Sequence, residues 1–202
     1  MFAGMSCDPR VQRRLSARNA TRSAILDAAR RVAARDGARN LSLRAAAAEA
    51  GFAPAALYGY FQSKDEILLA LAADDLVAIA RAMRAAAENC GAESPLAAAS
   101  SAALSLLQHT ETIAAVSQAL PQMAGTGDAE RLFNGRLIAA LTALSHATGR
   151  TAESRTAQAD IVLLAAALTG LAVFARSGRL GALGFSSEEV VARLDARFTG
   201  AM

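Results

Sequence analysis

The stretch Gly51–Lys64, GFAPAALYGYFQSK, decides how the chain is read. Gly51 can adopt a positive φ without steric cost, so it ends one helix. Pro54 arrives with φ already set for a first helical position, so a second helix starts three residues later. A helix ending at Ala50, a short turn and a new helix from Pro54 predict a helix-turn-helix. Leu57 and Phe61, four residues apart, share a face turned to the core, and Tyr58 then points away from it. A phenol on a rigid ring can donate to a phosphate oxygen at small entropic cost. Tyr60, three residues after Leu57, sits nearer the core edge. Ser63 and Glu66 have capping-box spacing and predict a third helix. Lys64 stands in its first turn, a good place to meet a phosphate.

Upstream, Ile25, Ala28, Ala29 and Val32 fall on one helical face and predict a first helix over Asn19–Asp36, stopped by Gly37. Arg22, Arg30, Arg31 and Arg35 occupy the other, wet positions. Ser42 caps a short helix, Leu43–Ala50, whose Leu43 and Ala47 face inward while Arg44 lies toward a DNA backbone. Phe52, large and apolar, is expected to plug the three-helix core. Residues 1–18 carry Arg10, Arg13, Arg14 and Arg18 without an apolar period. They read as a flexible basic arm that adds phosphate or minor-groove contacts, or else as a leader that touches nothing.

Charge follows the same division. Residues 1–64 hold 11 Lys and Arg against 4 Asp and Glu, a net of +7, whereas residues 65–202 hold 10 against 14, a net of −4. A basic head on an acidic body suits a protein whose head alone meets a polyanion. Apolar residues make up 53% and aromatics 4%, with much Ala and Leu, so the chain reads as all-α. Cys7 and Cys90 are far apart and match no metal or CxxC spacing, and no metal or cofactor is expected. The N-terminus lacks the apolar core of a secretory signal. The longest apolar run, Ile161–Ala175, is 15 residues, short of the roughly 20 that cross a bilayer. A cytoplasmic protein without a membrane partner is the expectation.

Downstream, the helix from Ser63 runs to about Glu88, near 39 Å at 1.5 Å per residue, long enough to link the head mechanically to a body. Further helices are expected over Leu96–His109, over 110–120 up to Pro121, and over Ala129–Ala147 after a loop at Gly125–Asp128. Leu132, Phe133, Leu137, Leu141 and Leu144 should form the stripe of the last of these. Two very apolar helices follow, 152–177 and one opened by the capping box of Ser186 and Glu189. Pairing them across a two-fold axis is the economical way to bury them. That places Leu164, Leu168, Leu171, Val191, Leu194 and Phe198 at a homodimer interface.

From Thr21 to about Leu71 the chain resembles the DNA-binding domain of the TetR (tetracycline-repressor) family of transcriptional regulators. The resemblance rests on Ile25-Leu26, Ala28-Ala29, Gly37, Ser42 with Ala47, Gly51, Leu57-Tyr58, Tyr60-Phe61, Ser63-Lys64 and Leu68-Leu69. It implies about nine helices in all: a three-helix head over 19–65, and a ligand-binding and dimerisation body over 66–202. The chain departs from the family at Ala53 and Ala56, where members commonly carry Ser or Thr, and at Ala46, where a larger aliphatic is usual. Losing two hydroxyls moves phosphate anchoring onto Ser42, Tyr58, Lys64 and the arginines. Pro54, Ala55, Gly59 and Tyr60, with Ala56 beside them, become the groove-facing set, suited to thymine methyls more than to bidentate hydrogen bonds. Arg44 and DNA shape then carry more of the specificity.

The resemblance also implies a small-molecule pocket in the body, for which Met83, Leu107, His109, Met123, Phe133 and Phe174 are the candidates. No nucleophile elbow, phosphate loop or carboxylate pair stands out, so an enzyme is not expected. The reading that results is a ligand-responsive regulator. It binds a palindromic double-stranded operator as a homodimer, and a small, apolar effector releases it. The rival is a helical scaffold or small-molecule carrier with weak or no DNA binding.

Overall fold

The computed structural model describes residues 9–110, 112–119, 127–149 and 154–199. Every helix among them is α or 3-10, and no strand occurs among the described residues. Helix α1 spans Pro9–Asp36, and a 3-10 turn follows at Ala38–Asn40. Then come α2 (Leu43–Ala50), α3 (Pro54–Leu57) and α4 (Lys64–Glu88). The body continues with α5 (Pro95–His109), α6 (Thr112–Ala119), α7 (Gly127–Ala147) and α8 (Arg155–Arg176), and closes with α9 (Arg179–Ala182) and α10 (Ser187–Thr199).

The local signals act as their chemistry dictates. Gly37 ends α1 at φ 84°, and Gly51 ends α2 at φ 74°. At that second end Phe52 N donates to Ala47 O and Gly51 N to Ala48 O, the paired bonds of a Schellman motif. Ser42 caps α2 by accepting from Ala45 N, and Ser63 caps α4 by accepting from Glu66 N, both at 3.1 Å. Glu66 in turn accepts from Gln62 N at 2.6 Å. Ser186 and Glu189 exchange both bonds of a capping box at the start of α10.

Helix α4 is the spine. After its first turn, Ile67–Ala73 are buried on every side, and beyond them burial narrows to Asp75, Leu76, Ile79, Ala80 and Met83. It packs against α1, α5, α6 and α7. One continuous apolar cluster therefore runs from Ile25, Val32, Leu57 and Phe61 in the head through α4 to Leu96, Phe133, Leu144, Leu164 and Leu168. A smaller one joins Leu104, Leu171, Leu180 and Val191.

Four expectations are corrected. Residues 9–18 are not an arm without structure but the first turns of α1, with Pro9 at the helix start; residues 1–8 lie outside the described residues. Phe52 is exposed, because the Schellman turn carries it outward and Phe61 fills the core instead. On α7 the buried side is Phe133, Ala140, Ala143, Leu144 and Ala147, whereas Leu132 and Leu137 are exposed. Small alanines let α7 lie close along α4. Finally, Leu164, Leu168, Leu171 and Val191 are buried within the single chain, and Leu194 and Phe198 pack partly against its core. The first four point into this chain's own bundle and are not open to a second copy, whereas Leu194 and Phe198 keep part of their surface exposed. Pro121 and the first half of the expected loop, Gly125 and Thr126, fall outside the described residues, while Gly127 and Asp128 already belong to α7.

Candidate nucleic-acid interface

The reading element is short. Helix α3 has one turn, and Ala53 gives it no side-chain cap. The chain stays helical-like only as far as Phe61, through Tyr60 N and Phe61 N donating to Leu57 O at 2.8 and 2.9 Å. Leu57 and Phe61 are fully buried and hold the turn from below, while Pro54, Ala55, Ala56, Tyr58 and Gly59 are exposed. Tyr58 is 58% exposed and presents its phenol outward. Tyr60 is half-buried against the core edge. Of the groove-facing set named from the sequence, Pro54, Ala55, Ala56 and Gly59 are thus exposed and Tyr60 is half-buried. Ser42 and Arg44 are exposed at the start of the adjacent α2. The Ser42 oxygen already accepts from Ala45 N, which leaves its hydroxyl proton available to an outside acceptor.

Lys64 differs from its expected free role. It is half-buried, and its Nζ donates to the Arg39 carbonyl, tying the start of α4 to the 3-10 turn that follows α1. An ammonium has three donors, so two remain for a phosphate.

Arg18 was missed as a site residue. Its Nη2 donates to the Gly59 carbonyl at 3.0 Å, and its guanidinium lies 5.7 Å from the centre of the Tyr60 ring. One turn on, Arg22 stacks 4.7 Å over Phe61. The signal was present in the i, i+4 spacing of two arginines upstream of the Ile25 face, but without an apolar period it read as an arm.

The head is braced by charge. Arg31 and Arg35 both hydrogen-bond Glu49 of α2, at 2.8 and 3.1 Å, and Arg35 also grips Asp36. Hydrogen bonds from Arg31 and then Arg35 hold the Glu49 carboxyl below its ordinary range, and the bond from Arg35 does the same for Asp36.

A second polar link joins head to body. Asp75 of α4, 9% exposed, accepts from Arg30 of α1 on one oxygen and from the buried Thr112 of α6 on the other. Neighbouring Asp74 lies 3.8 Å from Arg30. Partial desolvation pushes its carboxyl above the ordinary range, and the charge of Asp75 adds to this.

In the body, a cleft of about 650 Å³ opens between α7 and α8. Ile138, Leu141, Ile161 and Val162 give it apolar walls, and Arg155 and Gln158 stand among its polar groups. None of the residues expected to line a pocket is here. Met83 and Phe133 are packed solid in the core, Leu107 is half-buried on α5, and His109 and Phe174 are exposed. Met123 lies outside the described residues.

Comparison with known proteins places this geometry. Residues 25–71 match the sequence model of "Bacterial regulatory proteins, tetR family". No functionally curated protein matches the chain. Among solved structures, a protein of unknown function from Rhodococcus sp. RHA1 superposes with a TM-score of 0.69 at 26% identity, covering 89% of this chain and 93% of that one. The fatty acid degradation regulator FadR from Bacillus halodurans follows at 0.60 and 17% identity, covering 90% of this chain and 96% of its own. The TetR-like regulator LfrR from Mycobacterium smegmatis, solved with proflavine, gives 0.55 and 21% identity over 92% of this chain and 98% of its own.

Proposed function

We propose that this chain, a TetR-family transcriptional regulator, acts in the cytoplasm as a homodimeric repressor of a palindromic operator and is released by a small effector. The observation that carries the DNA-binding reading is the exposed surface of Pro54–Tyr58. It is held from beneath by Leu57 and Phe61 and flanked by Ser42, Arg44 and Lys64. Methyl-rich side chains there suit contact with thymine methyls, and the surrounding phenol, hydroxyl and cations suit phosphates.

Dimerisation is assigned to the outer face of α8. Val162, Leu163, Ala166, Val173 and Phe174 are exposed at helical spacing, and Leu183 and Phe185 continue the apolar surface beyond the helix. The most apolar window of α8 has a mean hydropathy of 1.9, yet only 28% of it is buried. A helix this apolar with its outer face uncovered fits a two-fold partner. This face stands in for Leu164, Leu168, Leu171 and Val191, which the chain buries itself.

The α7–α8 cleft is the proposed effector site. Its apolar walls with Arg155 and Gln158 suit an amphipathic molecule rather than the purely apolar one expected. Helix α7 lies along α4, and α4 enters the head at Lys64. Effector binding that displaces α7 would therefore move α4, change the separation of the two heads and misalign them with operator half-sites.

The test is a mobility shift on a duplex that the protein enriches from a random-sequence pool, run across a salt series. Tyr58→Phe should weaken binding about tenfold, near 1.5 kcal/mol for a lost bond to a charged group. Lys64→Ala should lower the salt slope by about 1. A protein that enriches no duplex at low salt would instead be a helical carrier.

A further inference from the structure

The front of α1 buries none of its side chains, yet it is highly charged. Residues 9–20 are all exposed, and residues 9–22 hold five arginines without one carboxylate. This segment is continuous with the half of α1 anchored by Ile25, Ala28 and Val32, so the head fixes its direction. Arg10, Arg14 and Arg18 follow one another at i, i+4 and i+8 and form a row along one side. Arg18 shows which way that row faces, because its guanidinium reaches the Gly59 carbonyl and the Tyr60 ring of the reading turn. Arg14 and Arg10 carry the same side outward by about 12 Å at 1.5 Å per residue. With one phosphate per about 3.4 Å of axis on each strand, that length covers three to four phosphates.

We propose that the first turns of α1 are a second DNA-contact element, an arginine row that binds backbone phosphates flanking the bases read by Pro54–Tyr58. The element rests on the DNA-binding reading above and extends each head's footprint beyond the helix-turn-helix. Arg18 is its pivot: one guanidinium fixes the row to the reading turn, so both meet the duplex as one rigid surface. The row contacts phosphates and adds affinity and salt dependence without base preference.

The test compares wild type, Arg10→Ala/Arg14→Ala and the charge-keeping Arg10→Lys/Arg14→Lys. The probe is a 40-base-pair duplex enriched by the wild type from a random pool, used whole and with its flanks trimmed, between 50 and 200 mM KCl. On the whole duplex the alanine pair should lower the salt slope by about 1.8 per head. The affinity gap between the two salts then shrinks about 12-fold for each head engaged. The lysine pair should keep the wild-type slope, and trimming the flanks should erase the difference between alanine pair and wild type. Equal slopes for alanine pair and wild type on the whole duplex would overturn the proposal. So would arginine-dependent binding to anionic phospholipid vesicles with DNA binding unchanged. If the wild type enriches no duplex at 50 mM KCl, the DNA-binding reading itself fails and the arginine row falls with it.

Discussion

Gly51 stands at φ +74° with nothing within 4 Å of the place where a Cβ would be. Gly51→Ala therefore meets backbone strain without a clash, and the expected cost is about 1–2 kcal/mol. At about 2–4 °C per kcal/mol for a chain of this size, the loss should be visible in a thermal melt. Phe61→Ala removes a fully buried ring from the head and should cost about 3–5 kcal/mol; Phe52→Ala, at an exposed position, should cost far less. Gly51, Pro54 and Ser63 were legible in the sequence because each acts through its own backbone or an N–H three residues away. Phe61 was legible as a core residue from its i, i+4 spacing with Leu57. The exposure of Phe52 was not, because it depends on the exit direction of the Schellman motif.

The elements are joined by charges that set how the head responds to acid. Bonding to Arg31 and Arg35 depresses the Glu49 pKa in the folded state. Its contribution to stability is therefore present above the unfolded-state value and lost as pH falls through the lower folded-state value. The thermal midpoint should drop in the acid range, and Glu49→Gln should flatten part of that drop. Farther in, Asp75 bonds both Arg30 and Thr112, so these three side chains should not act independently. A double-mutant cycle of Arg30→Ala and Thr112→Ala, read by denaturant unfolding, should give a coupling of at least about 0.5 kcal/mol. On α5, the Ser100 hydroxyl is buried without a hydrogen-bond partner. Ser100→Ala should stabilise the chain by about 1 kcal/mol. The α5 and α8 helices were readable from their apolar residues, and α10 from its capping box. The front of α1 was not, because its arginines, with Gln12, Leu15 and Ala17 among them, have helix propensity without forming an apolar stripe.

For the whole molecule, the all-α architecture and the TetR-type head were within reach of the sequence. The surfaces between copies and around a ligand were not. Helix α8 shows why: Ile161, Leu164, Leu168 and Leu171 form one apolar side, and Val162, Leu163, Val173 and Phe174 form another. When both sides are apolar, spacing cannot say which one the chain buries itself, and the neighbouring α5, α7, α9 and α10 settle it. The proposed dimer makes a direct prediction. Leu163→Asp/Phe174→Asp should convert the dimer to a soluble monomer by sedimentation, with helix content unchanged by circular dichroism.

The uncovered side of α8 also bears on dosage. A monomer carrying Val162, Leu163 and Phe174 in water is a poor long-term state, so subunits would be held in solution by finding one another. Because pairing is second order, dimer abundance at low expression would climb with the square of subunit concentration. Operator occupancy would inherit that steepness, so a modest fall in synthesis would empty the site more sharply than a monomeric binder's affinity implies. The helix that gives the subunit its least comfortable surface would thus also set a threshold in gene control.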